Sequence, residues 1–212
     1  MDFLEFKRQV KNQPLIFSQD VVRGLKDPQP MRNQLTRWHK KGLLIPLRKG
    51  LYILNSDNRN IEVDHAVIAN TLYQPSYISL EYALNFYGFI PESVSDITSM
   101  STRKTAKFIN DFGTFRYQHV NPEAFRGFKK VGEGQNTFFM AEVEKAVVDF
   151  LYLNLSQFDD NVKEILEQSY RFQNMETLHS KRLLELALVF NNEKLNRVIK
   201  KLVAWIREKK RD

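Results

Sequence analysis

The feature that most constrains this chain is a change of character near residue 55. Lys and Arg number 32 over 212 residues, against 25 Asp and Glu, a net of +7. Residues 1–54 hold 11 of the cations and 4 of the acids, and the remaining 158 residues hold 21 of each sign. All of the excess positive charge therefore belongs to the first quarter. A small basic module ahead of a large neutral one is the pattern expected where one module meets a polyanion. The break itself is Asn55-Ser56-Asp57-Asn58-Arg59-Asn60, the most polar stretch without periodicity. It divides the chain into residues 1–55 and 56–212.

Before the break the pattern reads helix, helix, helix, hairpin. Phe3, Phe6 and Val10 share one helical face, which should end near Pro14. Ser18 is a good N-cap, with Asp20 in the first turn and Val21, Val22 and Leu25 behind it. Asp27-Pro28-Gln29-Pro30 is a turn, and Pro30 suits the first position of a third helix over residues 30–41. At about 100° per residue, Met31, Leu35 and Trp38 cluster on one side. Asn33, Thr36, Arg37 and Lys40 cluster opposite, flanked by Arg32 and Lys41. Gly42 is the C-cap. Residues 43–54 then read as two short apolar strands around the basic turn Arg48-Lys49-Gly50.

Three helices and a hairpin, with the third helix basic and outward, describe a winged helix-turn-helix. Such a helix fits the major groove, where Arg can bond guanine twice and Asn can pair with adenine. Arg32, Asn33, Thr36, Arg37, Lys40 and Lys41, with Arg48 and Lys49 at the wing tip, are therefore the candidate DNA-binding residues. Most polar helix faces are merely solvated. Here the charge asymmetry, the turn spacing and the cationic wing tip agree.

The second module predicts a larger α/β unit, making the whole chain α+β. A helix is expected over 61–73, another starting at the cap Ser79 and stopping at Gly88, and a third over 141–154. Strands are expected over 96–102, 113–120 and 136–140 from composition and period-two alternation. From Asn161 the pattern is helical, broken near Asn174 and near Asn191-Asn192.

Several classes are excluded or thin. With no Cys there is no disulfide, zinc ribbon, Cys nucleophile or iron–sulfur cluster. No apolar run approaches the roughly 18 residues of a membrane span, and residues 1–14 lack a signal-peptide apolar region. A cytoplasmic protein with no membrane partner is expected. No Gly-x-Gly-x-x-Gly, P-loop or Gly-x-Ser-x-Gly is present. Glu-x-x-His occurs twice, at Glu62/His65 and Glu176/His179. On helices that spacing supplies di-iron ligands, but only with a Glu from each of two further helices. His65 is expected on the apolar side of its helix. His39 lies beside the apolar face of the third helix and His119 on a strand, neither with a visible catalytic partner. The basic end Arg207 to Arg211 reads as a solvated helix terminus. No catalytic, cofactor-binding or metal site is assigned, and the chain is not expected to be an enzyme.

The run Tyr77-Ile78-Ser79-Leu80-Glu81-Tyr82-Ala83-Leu84-Asn85-Phe86-Tyr87-Gly88-Phe89-Ile90-Pro91 resembles the AbiEi antitoxin family of bacterial abortive-infection systems. The Lys49–Tyr52 hairpin precedes it, and Ile97-Thr98, Thr102-Arg103 and Gly113–Tyr117 follow. Last comes an Ala-x-x-Glu-Lys-Ala-x-x-Asp element at Ala141, Glu144, Lys145, Ala146 and Asp149. The resemblance covers about residues 1–155. It implies an autorepressor that binds double-stranded DNA at its own operon promoter. It also implies the antitoxin of a type IV toxin–antitoxin pair, countering a nucleotidyltransferase-like toxin without requiring a stable complex. Two other readings stay open: a winged-helix repressor whose second domain senses a small ligand, and a protein-interaction module with no DNA role.

Overall fold

The computed structural model describes residues 1–158 and 161–210. The N-terminal part runs α1 (Phe3–Val10), β1 (Ile16–Phe17), α2 (Ser18–Val21), α3 (Gln29–Lys40), β2 (Leu44–Arg48) and β3 (Leu51–Leu54). Asp2 caps α1, its carboxylate accepting from the Glu5 N–H at 2.8 Å. The expected apolar stripe goes inward: the Phe6 ring sits 4.6 Å from the Trp38 ring, and Phe3 meets Trp38 edge-on at 5.5 Å. The three strands form an antiparallel sheet in the order β1-β3-β2.

Two expectations need correction here. The helix after Ser18 has four residues, and Phe17 rather than Ser18 is its N-cap. Gly24, at φ 80°, turns the chain away soon after it ends. The strand β1 was not expected, because two residues carry no period to read.

The second part is built on a six-stranded mixed sheet. Its strands are β4 (Ser76–Ile78), β5 (Ile97–Ser101), β6 (Ala106–Asn110), β7 (Gly113–His119), β8 (Phe128–Val131) and β9 (Phe138–Ala141), in the order β6-β7-β5-β4-β9-β8. The pairs β4/β9 and β5/β7 are parallel, and the others antiparallel. Helices α4 (His65–Leu72), α5 (Leu80–Phe86) and α6 (Val143–Leu153) pack around it. Among the described residues the fold is thus α+β, as expected. The first helix of this part starts four residues later than expected, where the Asp64 carboxylate accepts from the Ala66 N–H at 2.8 Å. Strands β4, β6 and β8 were not anticipated. Ala141 closes β9 instead of opening a helix.

The C-terminal part is α7 (Val162–Glu164), which continues as a π-helical turn Ile165–Ser169, then α8 (Ser180–Leu188) and α9 (Glu193–Lys209). Both expected breaks occur. Asn174 and Asn191 each adopt a left-handed backbone, at φ 57° and 49°, which Asn tolerates better than most residues. The basic end is partly committed to packing: the Lys209 ammonium lies 3.1 Å from Glu167, and Lys210 donates to the Leu178 carbonyl. Arg211 lies outside the described residues. Among those residues no helix is long and apolar enough to cross a membrane.

The polar segment at 55–60 is not a free linker. Ser56–Asn58 forms a 3-10 turn, and the Lys7 ammonium donates to the Asn58 side chain at 2.9 Å. The hairpin before it serves two cores. Leu44 and Leu54 face the core made with α1 and α3, while Leu47, Leu51 and Ile53 join the main core of the second part. Strand β2 borders one sheet and β6 borders the other; they meet where Asn110 Nδ2 donates to the Leu47 carbonyl at 3.2 Å.

Candidate nucleic-acid interface

Helix α3 sorts its side chains as its periodicity requires. Met31, Leu35 and Trp38 are buried, and Arg32, Asn33, Thr36, Arg37 and Lys40 are exposed, as is Lys41 at the C-cap. Pro30 lies within the first turn, where its missing N–H costs no helical hydrogen bond. Twelve residues make a helix about 18 Å long, and its diameter of about 10–12 Å with side chains fits a major groove about 12 Å wide. No acidic residue lies on α3.

The polar groups of the stripe bond only within the helix. Gln29 Nε2 donates to Asn33 Oδ1 at 3.0 Å, Thr36 Oγ1 to the Arg32 carbonyl at 3.1 Å, and Arg37 Nη1 to Gln34 Oε1 at 3.3 Å. These exposed bonds can be exchanged for bonds to a partner at small net cost. A groove of about 540 Å3 lined by Val21, Leu25, Asp27, Asn33 and Arg37 keeps the two candidate base-reading side chains open on their α2 side.

The hairpin expected as a wing is shorter and more embedded than the sequence suggests. Lys49-Gly50 is a two-residue turn, with Gly50 at φ 80°. Its tip is anchored, since Ser18 N–H donates to the Gly50 carbonyl at 2.9 Å. Arg48 and Lys49 are both exposed. Their surroundings differ. Arg48 lies close enough to the Tyr117 hydroxyl on β7 to act on its ionisation: burial drives that hydroxyl well above its ordinary value, and the Arg48 charge opposes this. Its neighbour Leu47 packs into the second part and accepts from Asn110 of β6, which puts this end of β2 at the junction. Along β2, four residue steps of about 3.3 Å put it about 13 Å from the end of the strand next to α3.

The residues that carry the AbiEi resemblance meet in a different place. Ser79 Oγ and Tyr77 OH donate to Asp149 Oδ2 at 2.8 and 3.0 Å, and the Lys145 ammonium donates to Oδ1 of the same carboxylate. The Lys145 and Asp149 side chains are both 0% exposed. Burial pushes the Lys145 ammonium down and the Asp149 carboxyl up, and each charge opposes the shift of the other. Ser79 is the N-cap of α5 but makes no side-chain cap bond, because its hydroxyl is committed to Asp149. Gly127 packs against this cluster at φ 77°: a Cβ would stand 2.6 Å from Leu186 Cδ2 and 3.3 Å from Lys145, so the Leu186 side chain would have to shift. The i, i+4 spacing of Lys145 and Asp149 permits a pair on one helix face but carries no sign of its burial or of the link to Ser79.

The Glu-x-x-His pairs do not form a metal-ligand set. Glu62 precedes α4 and His65 is its first residue, so the two do not share a helix. His65 is exposed, not on an apolar face as expected, and meets Phe112 edge-on at 5.8 Å. His179 precedes α8 and bonds Glu144, not Glu176: its N–H and Nδ1 lie 3.1 and 2.8 Å from Glu144 Oε1. His39 is exposed with Nδ1 3.2 Å from the Leu44 carbonyl, and His119 Nδ1 lies 3.1 Å from the Arg103 carbonyl. No group of three or more His, Asp or Glu placed to hold a metal occurs among the described residues.

Compared with known proteins, the chain matches no family model and no curated protein.

Proposed function

We propose that the chain is a DNA-binding transcriptional regulator whose first 55 residues form a winged helix-turn-helix. The observation that carries this reading is α3: six polar or cationic residues on its outer face and C-cap, none of them acidic, in the module that holds the entire net charge. The element order around it, helix, strand, helix, helix, strand, strand with the sheet ordered β1-β3-β2, supports the reading. In this proposal α3 enters the major groove. Arg37 donates two bonds to a guanine edge, Asn33 pairs with adenine, and Thr36 lies between them. Arg32, Lys40, Lys41, Arg48 and Lys49 contact phosphates and set the register.

The finer role follows the resemblance: a non-enzymatic autorepressor and type IV antitoxin acting against a nucleotidyltransferase-like toxin in the cytoplasm. Its support is that Ser79, Lys145 and Asp149, from two separated motif segments, form one buried cluster. A shared motif of that kind describes a shared core, so it leaves the toxin-opposing surface unassigned.

The test is duplex binding by fluorescence anisotropy, comparing DNA from upstream of the gene with a scrambled duplex across a range of salt. The expected outcome is a preference for the upstream duplex, with log K falling by about 0.9 per phosphate neutralised for each decade of salt. Equal, salt-independent binding to both duplexes would end the proposal.

A further inference from the structure

The main sheet opens between β4 and β9. These parallel strands pair at Ile78 and Met140, while at the other end Ser76 pairs with Ser101 of β5 on its opposite side. What holds β9 there is a side chain. Asn70 of α4 donates to the Phe139 carbonyl at 3.3 Å and accepts from the Phe139 N–H. One buried amide thus takes both backbone groups of Phe139 and fixes its position. The Phe139 ring is left 47% exposed.

The opening is a slot of about 420 Å3. Phe125, Phe128 and Phe139 form an aromatic wall, with Phe128 5.0 Å from Phe125 and 5.8 Å edge-on from Phe139. Val67 and Pro75 add apolar surface, and no charged side chain lines the slot. Ser76 is a lining residue, 7% exposed, and its hydroxyl has no hydrogen-bond partner among the described residues. A buried hydroxyl left unpaired is unfavourable and is normally satisfied by protein, water or ligand.

From this geometry we propose that the slot between β4 and β9 binds a small, uncharged aromatic molecule carrying one hydrogen-bonding group. The volume falls in the range of small-molecule sites, on the order of 300–1,000 Å3. Aromatic edges and faces favour a planar partner. The absence of charge on the walls selects against ions, since a desolvated charge would find no counter-charge. Asn70, Thr71, Gln74 and Thr137 also line the slot. The Thr71 and Thr137 hydroxyls already donate to the Val67 and Gly134 carbonyls and Asn70 to Phe139, which leaves the Ser76 hydroxyl as the buried one without a partner among the described residues. The site lies in the second part and stands whether or not the first part binds DNA.

The experiment uses the full chain and two probes of one shape, 2-naphthol and naphthalene-2-sulfonate, titrated with saturation-transfer NMR and calorimetry. The neutral probe should bind with a sub-millimolar Kd and the sulfonate at least tenfold more weakly. Phe139→Ala removes a half-exposed ring and should weaken 2-naphthol at least tenfold, with unchanged far-UV circular dichroism as the fold control. Ser76→Val keeps the shape and removes the hydroxyl. It should weaken 2-naphthol several-fold while leaving naphthalene itself unaffected. No binding of 2-naphthol at millimolar concentration would overturn the proposal. So would equal binding of the two probes, or affinity unmoved by both substitutions.

Discussion

Helices α3 and α6 are nearly the same length, 12 and 11 residues, and use charge in opposite ways. On α3 the cations face water and the side-chain bonds of the outward stripe stay within the helix, three or four residues apart. On α6 Lys145 and Asp149 are fully buried, and Asp149 is reached by side chains 70 and 72 residues away. Local exposed bonds can be given up to a partner without disturbing the fold. Long-range buried bonds hold distant segments together and are lost only when the core opens. Recognition is therefore expected of the first helix and stability of the second.

That division assumes that the first module presents α3 on its own, and the hairpin argues otherwise. Leu47, Leu51 and Ile53 are 3%, 0% and 1% exposed, all against the second part. Exposing three such side chains costs about 4–9 kcal/mol at about 1.5–3 kcal/mol each. A module of this size has total stability of only about 3–8 kcal/mol. A fragment ending at Asn58 is thus expected to lack a cooperative transition. Urea unfolding followed by circular dichroism checks this, and a sharp sigmoid from the fragment would show that the module stands alone.

The next largest effect sits on α6. Asp149→Ala leaves the Lys145 ammonium buried without a counter-charge and removes the acceptor of Tyr77 and Ser79. Breaking a buried pair in this way costs about 3–5 kcal/mol. In the same urea assay Arg37→Ala, on the exposed face of α3, should stay within about 0.5 kcal/mol of the parent. Comparable losses from the two would erase the contrast between the helices.

The two helices also differ in how far the sequence reveals them. The faces of α3, the turn at Gly50 and the breaks at Asn174 and Asn191 were legible, because each depends on local spacing or backbone preference. The roles of Lys145, Asp149 and Ser79 were not. Periodicity sends charged residues to the surface and takes a Ser before an apolar run for a cap, whereas here all three point into the core. Strands β1, β4, β6 and β8 escaped for a different reason. Two or three residues carry no period in β1 and β4, and β6 and β8 bury no residue fully, so their sequences mark no buried face. The slot between β4 and β9 depends on Asn70 meeting Phe139, 69 positions away, and no local pattern records that meeting.

For DNA binding the contrast reverses. Arg37→Ala should cost about 1–3 kcal/mol on the preferred duplex and relax sequence preference, since it removes a two-bond contact to a base edge. Anisotropy titrations on preferred and scrambled duplexes measure both. A loss equal on the two duplexes would place Arg37 on the phosphates instead.

A smaller effect concerns pH. Burial raises the Glu144 carboxyl, but hydrogen bonds from the His179 side chain and N–H outweigh it, and the net position is below the ordinary value of 4.5. A carboxylate depressed in the folded state stabilises fully above its unfolded pKa and loses that contribution as pH falls through the folded one. Stability should therefore drop below about pH 4.5, and Glu144→Gln should flatten that part of the profile. An unchanged acid limb would show that Glu144 contributes nothing to it.

The smallest expected effect separates the two wing cations. Lys49 is exposed on the turn, and Arg48 ends β2 next to Leu47, whose carbonyl is bonded by Asn110 of the second part. If both reach phosphates, each Ala substitution lowers the salt slope by about 0.9, or about a twofold change in K between 0.1 and 0.2 M salt. Affinity should fall equally on preferred and scrambled duplexes, because phosphate contacts carry no sequence. Stability should not move for Lys49→Ala, an exposed charge with no ion pair among the described residues. A salt slope lowered by Lys49→Ala but not by Arg48→Ala would divide the tip, with Lys49 on the DNA and Arg48 holding the wing against the second part.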